Sequence, residues 1–473
     1  MNLIYQVSSK ANEFIWGIVL IIAILGVGIY LTAGTGFVQF RNFLAVLKET
    51  LFRKKRKGLE GDISPFAALS VALAGTVGVG NIAGVATAIA SGGPGAIFWM
   101  WVSGLLGMGT KFGEVVLGIK YRIRPETGPM LGGPMIYIRQ GMGKNFKLLA
   151  GAFALFGALA ALGSGNMAQA NSVAIGLTGF NIPRVHSGII LVFAVGLVTI
   201  GGLKRISQVA MLCVPFMCIL YFLGALVILF VNISRLPEAM ILIFQSAFTP
   251  VAATGGFMGA TVRGAVRWGI ARGVFSNEAG LGSASIAHAT AQTDHPVRQG
   301  LWGIFEVFVD TIVICSATAL AILVTGAWKS GSTGSLLTMS AFQTVFGKDV
   351  GYSLVVLCMV LTAYDTILAW GFYGETCSVY LFGARARVFY RVLWLAPIML
   401  GALWELKTVW SLADTLNGLM AIPNLIALFF LGPVVFGLTR EFFNKPGNDR
   451  LPLTDSTVVH NPSTRTSNTE PTG

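Results

Sequence analysis

The chain has 473 residues, of which 54% are hydrophobic and only 11% are charged, and its mean hydropathy is +0.73. This composition excludes an ordinary soluble domain and indicates a protein that lies largely in a lipid bilayer. The formal net charge of +13 does not indicate nucleic-acid binding, because the basic residues lie mostly in short segments between apolar runs.

Apolar runs long enough to cross a bilayer recur along the chain. We predict an all-α polytopic membrane protein with about eleven transmembrane helices. They lie at residues 13–34, 66–91, 95–119, 147–177, 187–203, 207–232, 260–290, 300–326, 351–381, 388–404 and 411–438. The first run is expected to be retained, because no small-residue cleavage pattern follows it. Segment 444–473 is rich in Pro, Ser, Thr and Asn and is predicted to be a disordered cytoplasmic tail.

Basic residues are concentrated in alternate loops between these spans, which is the pattern that orients a membrane protein. The loops carry Arg41, Lys48, Arg53, Lys54, Lys55, Arg56 and Lys57, then Lys120, Arg122, Arg124, Arg139 and Lys144, and later Lys204, Arg205, Arg385, Arg387, Arg440 and Lys445. We predict that these loops face the cytoplasm and that the protein lies in the cell (inner) membrane. The N-terminus is then outside and the C-terminus inside.

Two of the predicted spans contain residues that disfavour an ordinary spanning helix. Segment 74–84 holds four glycines, each of which costs a helix about 1 kcal/mol relative to alanine. Segment 273–282 also holds glycines and places Ser276, Asn277 and the ionisable Glu278 at membrane depth. We predict that both segments are locally unwound.

The spans divide into two halves once the first helix, 13–34, is set aside. Five spans lie in 66–232 and five in 260–438, and each half begins with one of the glycine-rich segments. An odd number of spans per half inverts the second half relative to the first, so the arrangement is that of an inverted repeat within one transporter domain, 1–440. Unwound helices at matching positions of two such halves indicate a transport site near the bilayer midplane.

Unwound backbone at membrane depth needs polar partners, because unpaired N–H and C=O groups cost several kcal/mol in hydrocarbon. An amino-acid zwitterion suits it, since its carboxylate binds N–H groups at the start of a half-helix and its ammonium binds carbonyls at the end of another. The predicted donors are Gly78, Val79 and Gly80. Carbonyls and a wall of the site are predicted from Phe275, Ser276 and Ala279.

A coupling cation requires hard oxygen ligands, which a second group of residues supplies. The carbonyls of Ala74 and Val77 are predicted to face Thr362, Asp365 and Thr366 on the ninth span. A carboxylate such as that of Asp365 costs about 2.5 to 3.5 kcal/mol at the centre of a membrane helix, and a bound cation accounts for it. A proton serves as well as sodium in this argument.

Other ionisable residues at membrane depth are functional candidates by default. They are Glu114, Glu306, Asp310, Glu375 and Asp414. Pairing with Lys111 is predicted to account for some of them, and His288 is predicted to be interfacial.

The sequence resembles the sodium:alanine symporter family, also called alanine or glycine:cation symporters, over about residues 14–440. The motifs that carry the resemblance are GNIAGV at 80–85, GGPGAIFWMW at 92–101, GGP at 132–134, QAN at 169–171, FSNEAGLG at 275–282, TIL at 366–368 and YGE at 373–375. The resemblance implies the leucine-transporter fold, a 5+5 inverted repeat, with one extra N-terminal helix. It also implies import of alanine or glycine by alternating access, with sodium as coupling ion and no other cofactor.

The resemblance also adds residues to the site. Thr76, Asn81 and Gln169 are expected to be polar substrate contacts, with the second break, up to Gly280, opposite them. Asp365 departs from the Ser or Thr that the family pattern has before Thr366, which bears on the choice between sodium and protons.

Alternatives to these interpretations remain open. Gln169 and Asn171 also suit hydrogen bonds between helices. A proton-coupled amino-acid permease of the same fold is the alternative function, and an ion channel is a less favoured one because no repeated filter appears. An intramembrane enzyme is disfavoured because no hydrolase or metalloprotease motif is present. The expected partners are a small neutral amino acid, sodium and membrane lipid, and no nucleic acid.

Overall fold

The computed structural model describes residues 2–52, 59–252 and 257–444. Within these ranges the secondary structure is helical, and the only β-structure is three isolated bridges. The basic run 53–57 and all of the predicted tail 444–473 except Asn444 lie outside the described residues.

The first half of the chain forms helices α1 to α13. They are α1 (Asn2–Ile15), α2 (Ile18–Gly34), α3 (Val38–Arg41), α4 (Phe43–Leu51), α5 (Pro65–Thr76), α6 (Val85–Gly92), α7 (Ala96–Lys120), α8 (Pro134–Tyr137), α9 (Lys147–Ala160), α10 (Ala168–Leu177), α11 (Arg184–Thr199), α12 (Gly202–Val231) and α13 (Leu236–Ser246). This half also contains three π-helical stretches: Gly80–Gly84 leads into α6, Ile138–Met142 follows α8, and Ala161–Met167 lies between α9 and α10.

The second half of the chain forms helices α14 to α22. They are α14 (Val262–Asn277), α15 (Ala284–His288), α16 (Pro296–Val307), α17 (Ser316–Val324), α18 (Gly334–Phe346), α19 (Lys348–Phe382), α20 (Ala386–Leu393), α21 (Ala396–Leu403) and α22 (Leu406–Asn444). A π-helical stretch, Phe308–Cys315, joins α16 to α17.

Seven helical stretches in the described part of the chain are long and apolar enough to cross a membrane, or nine if each of two bent helix pairs is one span. The predicted span at 187–203 falls on the shorter apolar helix α11, and the one at 260–290 is interrupted between α14 and α15. Each of the eleven predicted spans thus falls on a helix or a helix pair. The number of membrane crossings stays a prediction.

The two segments predicted to be unwound lie at the centre of the helix bundle. Every residue of 67–86 and of 272–291 is buried. Their many Gly and Ala residues make this possible, because small residues let helix backbones approach closely. Large apolar side chains such as Phe193, Phe216 and Phe230 instead project from α11 and α12 at the outside of the bundle. The centre is therefore rich in small residues, and the outside is suited to lipid.

Candidate functional site

The first break lies between α5 and α6. Helix α5 ends at Thr76, and Val77 leaves the helical conformation with φ −77° and ψ 83°. The chain becomes helical again at Gly80, and the two halves are bent by 45°. The backbone N–H groups in the turn are therefore available for partners outside a helix.

Two side-chain amides accept hydrogen bonds from these N–H groups. Gly78 N lies 3.0 Å from Asn81 Oδ1 and 2.9 Å from the Thr76 carbonyl oxygen, and Val79 N lies 3.2 Å from Gln169 Oε1. The structure thus brings the predicted residues Gly78, Val79, Asn81 and Gln169 together. Thr76 belongs to the same segment, but its hydroxyl donates within α5 to the carbonyls of residues 72 and 73.

Gln169 and Asn171 have different roles although both lie on α10. Gln169 reaches the first break, as described above. Asn171 donates to the carbonyls of Gly401 and Trp404 at 2.8 and 2.9 Å, so it joins α10 to the end of α21. Asn171 therefore has the alternative role suggested by the sequence, a hydrogen bond between helices. Gln169 faces the site.

The second break lies between α14 and α15. Helix α14 ends at Asn277, and Glu278 has φ 56°, in the left-handed region that costs a non-glycine residue about 1–3 kcal/mol. The Glu278 carboxylate is held by Trp370 Nε1 at 2.7 Å and by the Ser283 hydroxyl. The Trp370 indole also lies 3.4 Å from the Gly75 carbonyl oxygen. One tryptophan of α19 therefore contacts both breaks.

The two breaks face each other across Gly80. A Cβ atom at Gly80 would lie 3.2 Å from Phe275 Cδ1 and 3.3 Å from Ser276 Cα. A Cβ atom at Gly78 would lie 2.7 Å from Thr366 Oγ1 and 3.1 Å from Gln169 Oε1. The predicted residues of both breaks thus lie close together, and the region between them, which we call the central space, has little room for a side chain on the first break.

Asp310 forms hydrogen bonds to residues of both breaks. From the sequence it was known only as an acid at membrane depth, and its partners were not predicted. Its Oδ1 accepts from Asn81 Nδ2 at 2.7 Å and from Ser276 Oγ at 3.0 Å. Its Oδ2 accepts from Thr311 Oγ1 at 2.7 Å. The carboxylate is fully buried, so these donors replace the water it would otherwise bind.

Glu114 of α7 occupies the N–H groups of the second break. Its Oε1 accepts from Gly280 N at 2.9 Å, Gly282 N at 3.1 Å and Asn424 Nδ2 at 2.7 Å. The Gly280 carbonyl also accepts from Asn424, and Ala279 N donates to Asn277 Oδ1. The backbone of the second break is therefore largely satisfied by protein groups.

Three of the five predicted sodium ligands form a cluster of oxygens. Thr366 Oγ1 lies 2.8 Å from the Ala74 carbonyl oxygen and 2.9 Å from the Thr362 carbonyl oxygen. Val77 lies one turn after Ala74, at the end of α5. Carbonyl and hydroxyl oxygens are the ligands that a hard cation prefers.

Asp365 is adjacent in sequence to this cluster but is not hydrogen-bonded to it. Its side chain is buried, and neither carboxylate oxygen has a hydrogen-bond partner among the described residues. Its carboxylate lies near the thiols of Cys213 and Cys218 on α12. The carboxylate therefore lies in the interface between α19 and α12.

Lys111, His288 and Glu306 form a separate buried network. Lys111 Nζ lies 3.1 Å from Glu306 Oε1, and His288 Nε2 lies 3.0 Å from Glu306 Oε2. His288 is fully buried and is held in place by Glu306, and its depth in the membrane stays a prediction.

A cavity of about 690 Å³, which we call the vestibule, lies at one end of the site. It is lined by Thr87 and Ser91 of α6, by Arg267 and Trp268 of α14, and by residues of α1, α18 and α22. It reaches the surface at exposed residues such as Lys407.

A layer of charged and aromatic side chains separates the vestibule from the central space. Arg272 forms a two-point ion pair with Asp414, with Nη1 3.0 Å from Oδ1. The Phe275 ring stacks on Trp410 with centroids 5.0 Å apart, and the Arg272 guanidinium lies 5.1 Å from the Trp410 ring centroid. Phe275 is in turn the residue that a Cβ atom at Gly80 would approach, so this layer lies between the vestibule and the first break.

Known proteins resemble the chain over most of its length. The model of the sodium:alanine symporter family matches residues 1–455. The sodium/alanine symporter AgcS of Methanococcus maripaludis is 45% identical over 441 residues, which cover 92% of this chain and 96% of AgcS. An uncharacterized transporter of Haemophilus influenzae is 47% identical over 445 residues, 93% of this chain and 97% of that protein.

The fold is also found among solved structures. The crystal structure of MhsT in complex with L-phenylalanine matches with a TM-score of 0.55 and 13% identity, and the match covers 81% of this chain and 99% of that chain. At this identity the likeness shows the fold alone. It confirms the predicted leucine-transporter-like architecture.

Proposed function

The chain belongs to the sodium:alanine symporter family, so it is a multi-pass membrane transporter and not an enzyme, and we propose that it imports alanine or glycine together with sodium. The site between the two broken helices opens to one side of the membrane at a time. The family supports sodium and a small amino acid as the transported pair.

The observation that carries the proposal is the state of the N–H groups at the first break. Gly78 N and Val79 N donate to the side-chain amide oxygens of Asn81 and Gln169. A substrate carboxylate presents two oxygens that accept the same hydrogen bonds more strongly, because it is charged. The start of the following half-helix adds the positive end of a helix dipole. In the structure, the side-chain oxygens of Asn81 and Gln169 therefore occupy the positions that the oxygens of the substrate carboxylate take when substrate is bound.

The second break suits the other end of the zwitterion. Its N–H groups at Gly280 and Gly282 already donate to Glu114, so they do not compete for the substrate carboxylate. The carbonyl groups that end α14, at Phe275 and Ser276, carry the negative end of a helix dipole and attract an ammonium. The wall formed by Phe275 and Ala279 and the close approach at Gly80 favour a short side chain.

Sodium binds beside the substrate in this proposal. The carbonyl oxygens of Ala74, Val77 and Thr362 and the hydroxyl of Thr366 supply the ligands, and Asp365 supplies a negative charge nearby. One charge that moves through 100 mV releases about 2.3 kcal/mol, which exceeds the 1.4 kcal/mol that corresponds to a tenfold concentration ratio. A single coupled sodium ion thus suffices to concentrate a neutral amino acid more than tenfold.

Alternating access requires two halves that move against each other. We propose that 66–232 and 260–438 are inverted repeats of one domain, 1–440, with 13–34 as the extra helix, because each repeat begins with a broken helix. The vestibule then lies on the outer face of the cell (inner) membrane, with the N-terminus outside. The pair Arg272–Asp414 and the stack of Phe275 on Trp410 close that side.

One observation favours a second candidate, a proton-coupled permease of the same fold. The Asp365 carboxylate is buried and has no hydrogen-bond partner among the described residues. A buried unpaired carboxylate takes up a proton or binds a cation to remain in a low-dielectric interior.

Transport into proteoliposomes tests both candidates. Labelled alanine or glycine is supplied outside, and a sodium, potassium or proton gradient is imposed in turn. The proposal expects uptake above equilibrium only with the inward sodium gradient. Equal uptake with a proton gradient alone would favour the second candidate, and no concentrative uptake with any gradient would contradict both.

A further inference from the structure

Arg122 lies at the end of the bundle opposite the vestibule, in the loop that follows α7. Its side chain is 1% exposed. Nη1 donates to the carbonyl oxygens of Ala289 at 3.1 Å and Ala291 at 2.7 Å, and Nη2 donates to the carbonyl oxygen of Glu60 at 3.0 Å. One guanidinium therefore holds two chain segments that are far apart in sequence.

The same two segments are also paired through their backbones. Asp62 N and Ile63 N donate to the Thr290 carbonyl oxygen at 2.8 and 3.2 Å, and Gln292 N donates to the Ile63 carbonyl oxygen at 2.8 Å. Gly61 has φ 143°, and a Cβ atom there would lie 2.5 Å from the carbonyl oxygen of Ala291. The approach is therefore close enough to require glycine.

The position of this contact in the fold gives it a functional meaning. Segment 60–63 directly precedes α5, and segment 289–292 directly follows α15. The contact thus joins the far ends of both broken helices, and the vestibule lies at their other ends, beside Thr87, Ser91 and Arg267. Backbone pairing thus holds one end of the two broken helices, while at the other end only a layer of side chains, the pair Arg272–Asp414 and the stack of Phe275 on Trp410, stands before the vestibule.

Because the Arg122 guanidinium is buried, loss of its hydrogen-bond partners would leave an unsolvated charge. Desolvation lowers the pKa of Arg122 to about 10, against the opposing effect of Glu60 and Asp62, and the side chain stays protonated at neutral pH. A buried cation is costly without hydrogen-bond acceptors. The guanidinium therefore either keeps all three carbonyl partners or loses them together when the two segments move apart.

We propose that Arg122 is a positioning residue of the transport cycle, which clasps the ends of the two broken helices while the vestibule side is open and releases them when the site opens to the Arg122 side. This inference rests on the proposed alternating-access transport. Arg122 contacts neither substrate nor ion, and its role is to set the balance between the two conformations.

The native thiol of Cys315 reports this balance. It is buried at the central site, 3.3 Å from both Asn81 Nδ2 and Ser276 Oγ. A membrane-impermeant maleimide is applied to right-side-out or inside-out vesicles, and the labelled cysteine is identified by peptide mass spectrometry. We expect Arg122→Gln to raise the labelling rate of Cys315 by about tenfold from the face that carries the Arg122 loop, and to lower it from the opposite face.

Two further variants separate the clasp from a general loss of structure. Gly61→Ala strains the backbone pairing without changing Arg122 and is expected to shift labelling in the same direction. Arg124→Gln removes an exposed arginine two residues away, whose ion pair with Asp62 spans 3.5 Å at the surface, and it is expected to behave as the unmodified protein.

The outcomes are distinct. Unchanged labelling of Cys315 from both faces in Arg122→Gln and Gly61→Ala would overturn the clasp. Increased labelling from both faces at once would also overturn it, because it indicates a general loosening of the protein and not a shift between the two conformations. Alanine uptake by the unmodified protein is measured separately. A sided shift in labelling without alanine uptake would contradict the proposed substrate and leave the clasp supported.

Discussion

Asn81 and Asp310 are joined by a hydrogen bond of 2.7 Å between Nδ2 and Oδ1, and they connect the first broken helix to the π-helical stretch after α16. The same carboxylate oxygen accepts from Ser276 of the second broken helix at 3.0 Å. A single buried acid thus sets the relative position of the two segments that enclose the central space.

Asp310→Asn is expected to reduce sodium-dependent alanine uptake about 5- to 150-fold. An amide in place of the carboxylate turns one acceptor into a donor, and a buried polar group left without a partner costs about 1–3 kcal/mol. Uptake into proteoliposomes measures the effect, and size-exclusion chromatography shows whether the protein remains folded. Glu238→Gln, at an exposed acid in the first turn of α13, serves as control. Normal uptake by Asp310→Asn would show that the connection is dispensable.

Gly80→Ala is expected to raise the KM for alanine by about tenfold or more, because the new methyl group approaches Phe275 and Ser276 to 3.2–3.3 Å and reduces the space for substrate. Gly437→Ala is the matched control, since a Cβ atom there meets nothing within 4 Å. Initial rates over a range of alanine concentrations distinguish the two. An unchanged KM in Gly80→Ala would place the substrate elsewhere.

Thr366→Val is expected to raise the sodium concentration for half-maximal uptake, because the variant keeps the shape of the side chain and removes the hydroxyl oxygen. Loss of one ligand typically costs about 1–3 kcal/mol, which corresponds to about 5- to 150-fold. Thr366→Ser retains the hydroxyl and should restore the sodium dependence.

Thr199→Val is the control for Thr366, since its buried hydroxyl bonds only within α11 in the described contacts, to the Val195 carbonyl oxygen at 2.8 Å. Sodium titrations of uptake compare the three variants. A sodium dependence of Thr366→Val equal to that of Thr199→Val would remove Thr366 from the ion site.

Asp365→Asn tests the choice between sodium and proton coupling. If the carboxylate contributes its charge to the sodium site, the variant needs more sodium for half-maximal uptake, because a neighbouring negative charge is lost from a low-dielectric region. If it carries protons, the variant loses any uptake driven by a pH gradient. Asp349→Asn, at an exposed acid in the first turn of the same helix, is the control. Unchanged dependence on both ions would exclude Asp365 from coupling.

The helices and their interruptions could be predicted from sequence because they depend on local composition. A bilayer leaves a spanning segment few alternatives to a helix, so long apolar runs identify spans and clustered glycines identify breaks. For the same reason the residues of the two breaks, from Gly78 to Asn81 and from Phe275 to Ala279, could be placed in one site. The motifs at these positions also identified the family correctly.

The partners of polar side chains could not be predicted, because they come from distant parts of the chain. Asn81 and Asp310 are 229 residues apart, and Arg122 bonds to a carbonyl 169 residues away. Sequence marked Asp310 and Glu114 only as acids at membrane depth, it paired Lys111 with no particular acid, and it predicted no partner for His288. Gln169 and Asn171 are both polar and two positions apart, and only the packing around α10 determined which one faces the site.

Composition and glycine placement by themselves thus determined that this protein is a helical membrane protein with two interrupted helices, since those features follow from what a bilayer tolerates in a single segment. Only the tertiary structure decided which buried charges join the two interruptions, where Asp365 lies and which end of the two broken helices is held by backbone pairing. These are contacts between separate helices, and their geometry depends on how the whole bundle packs.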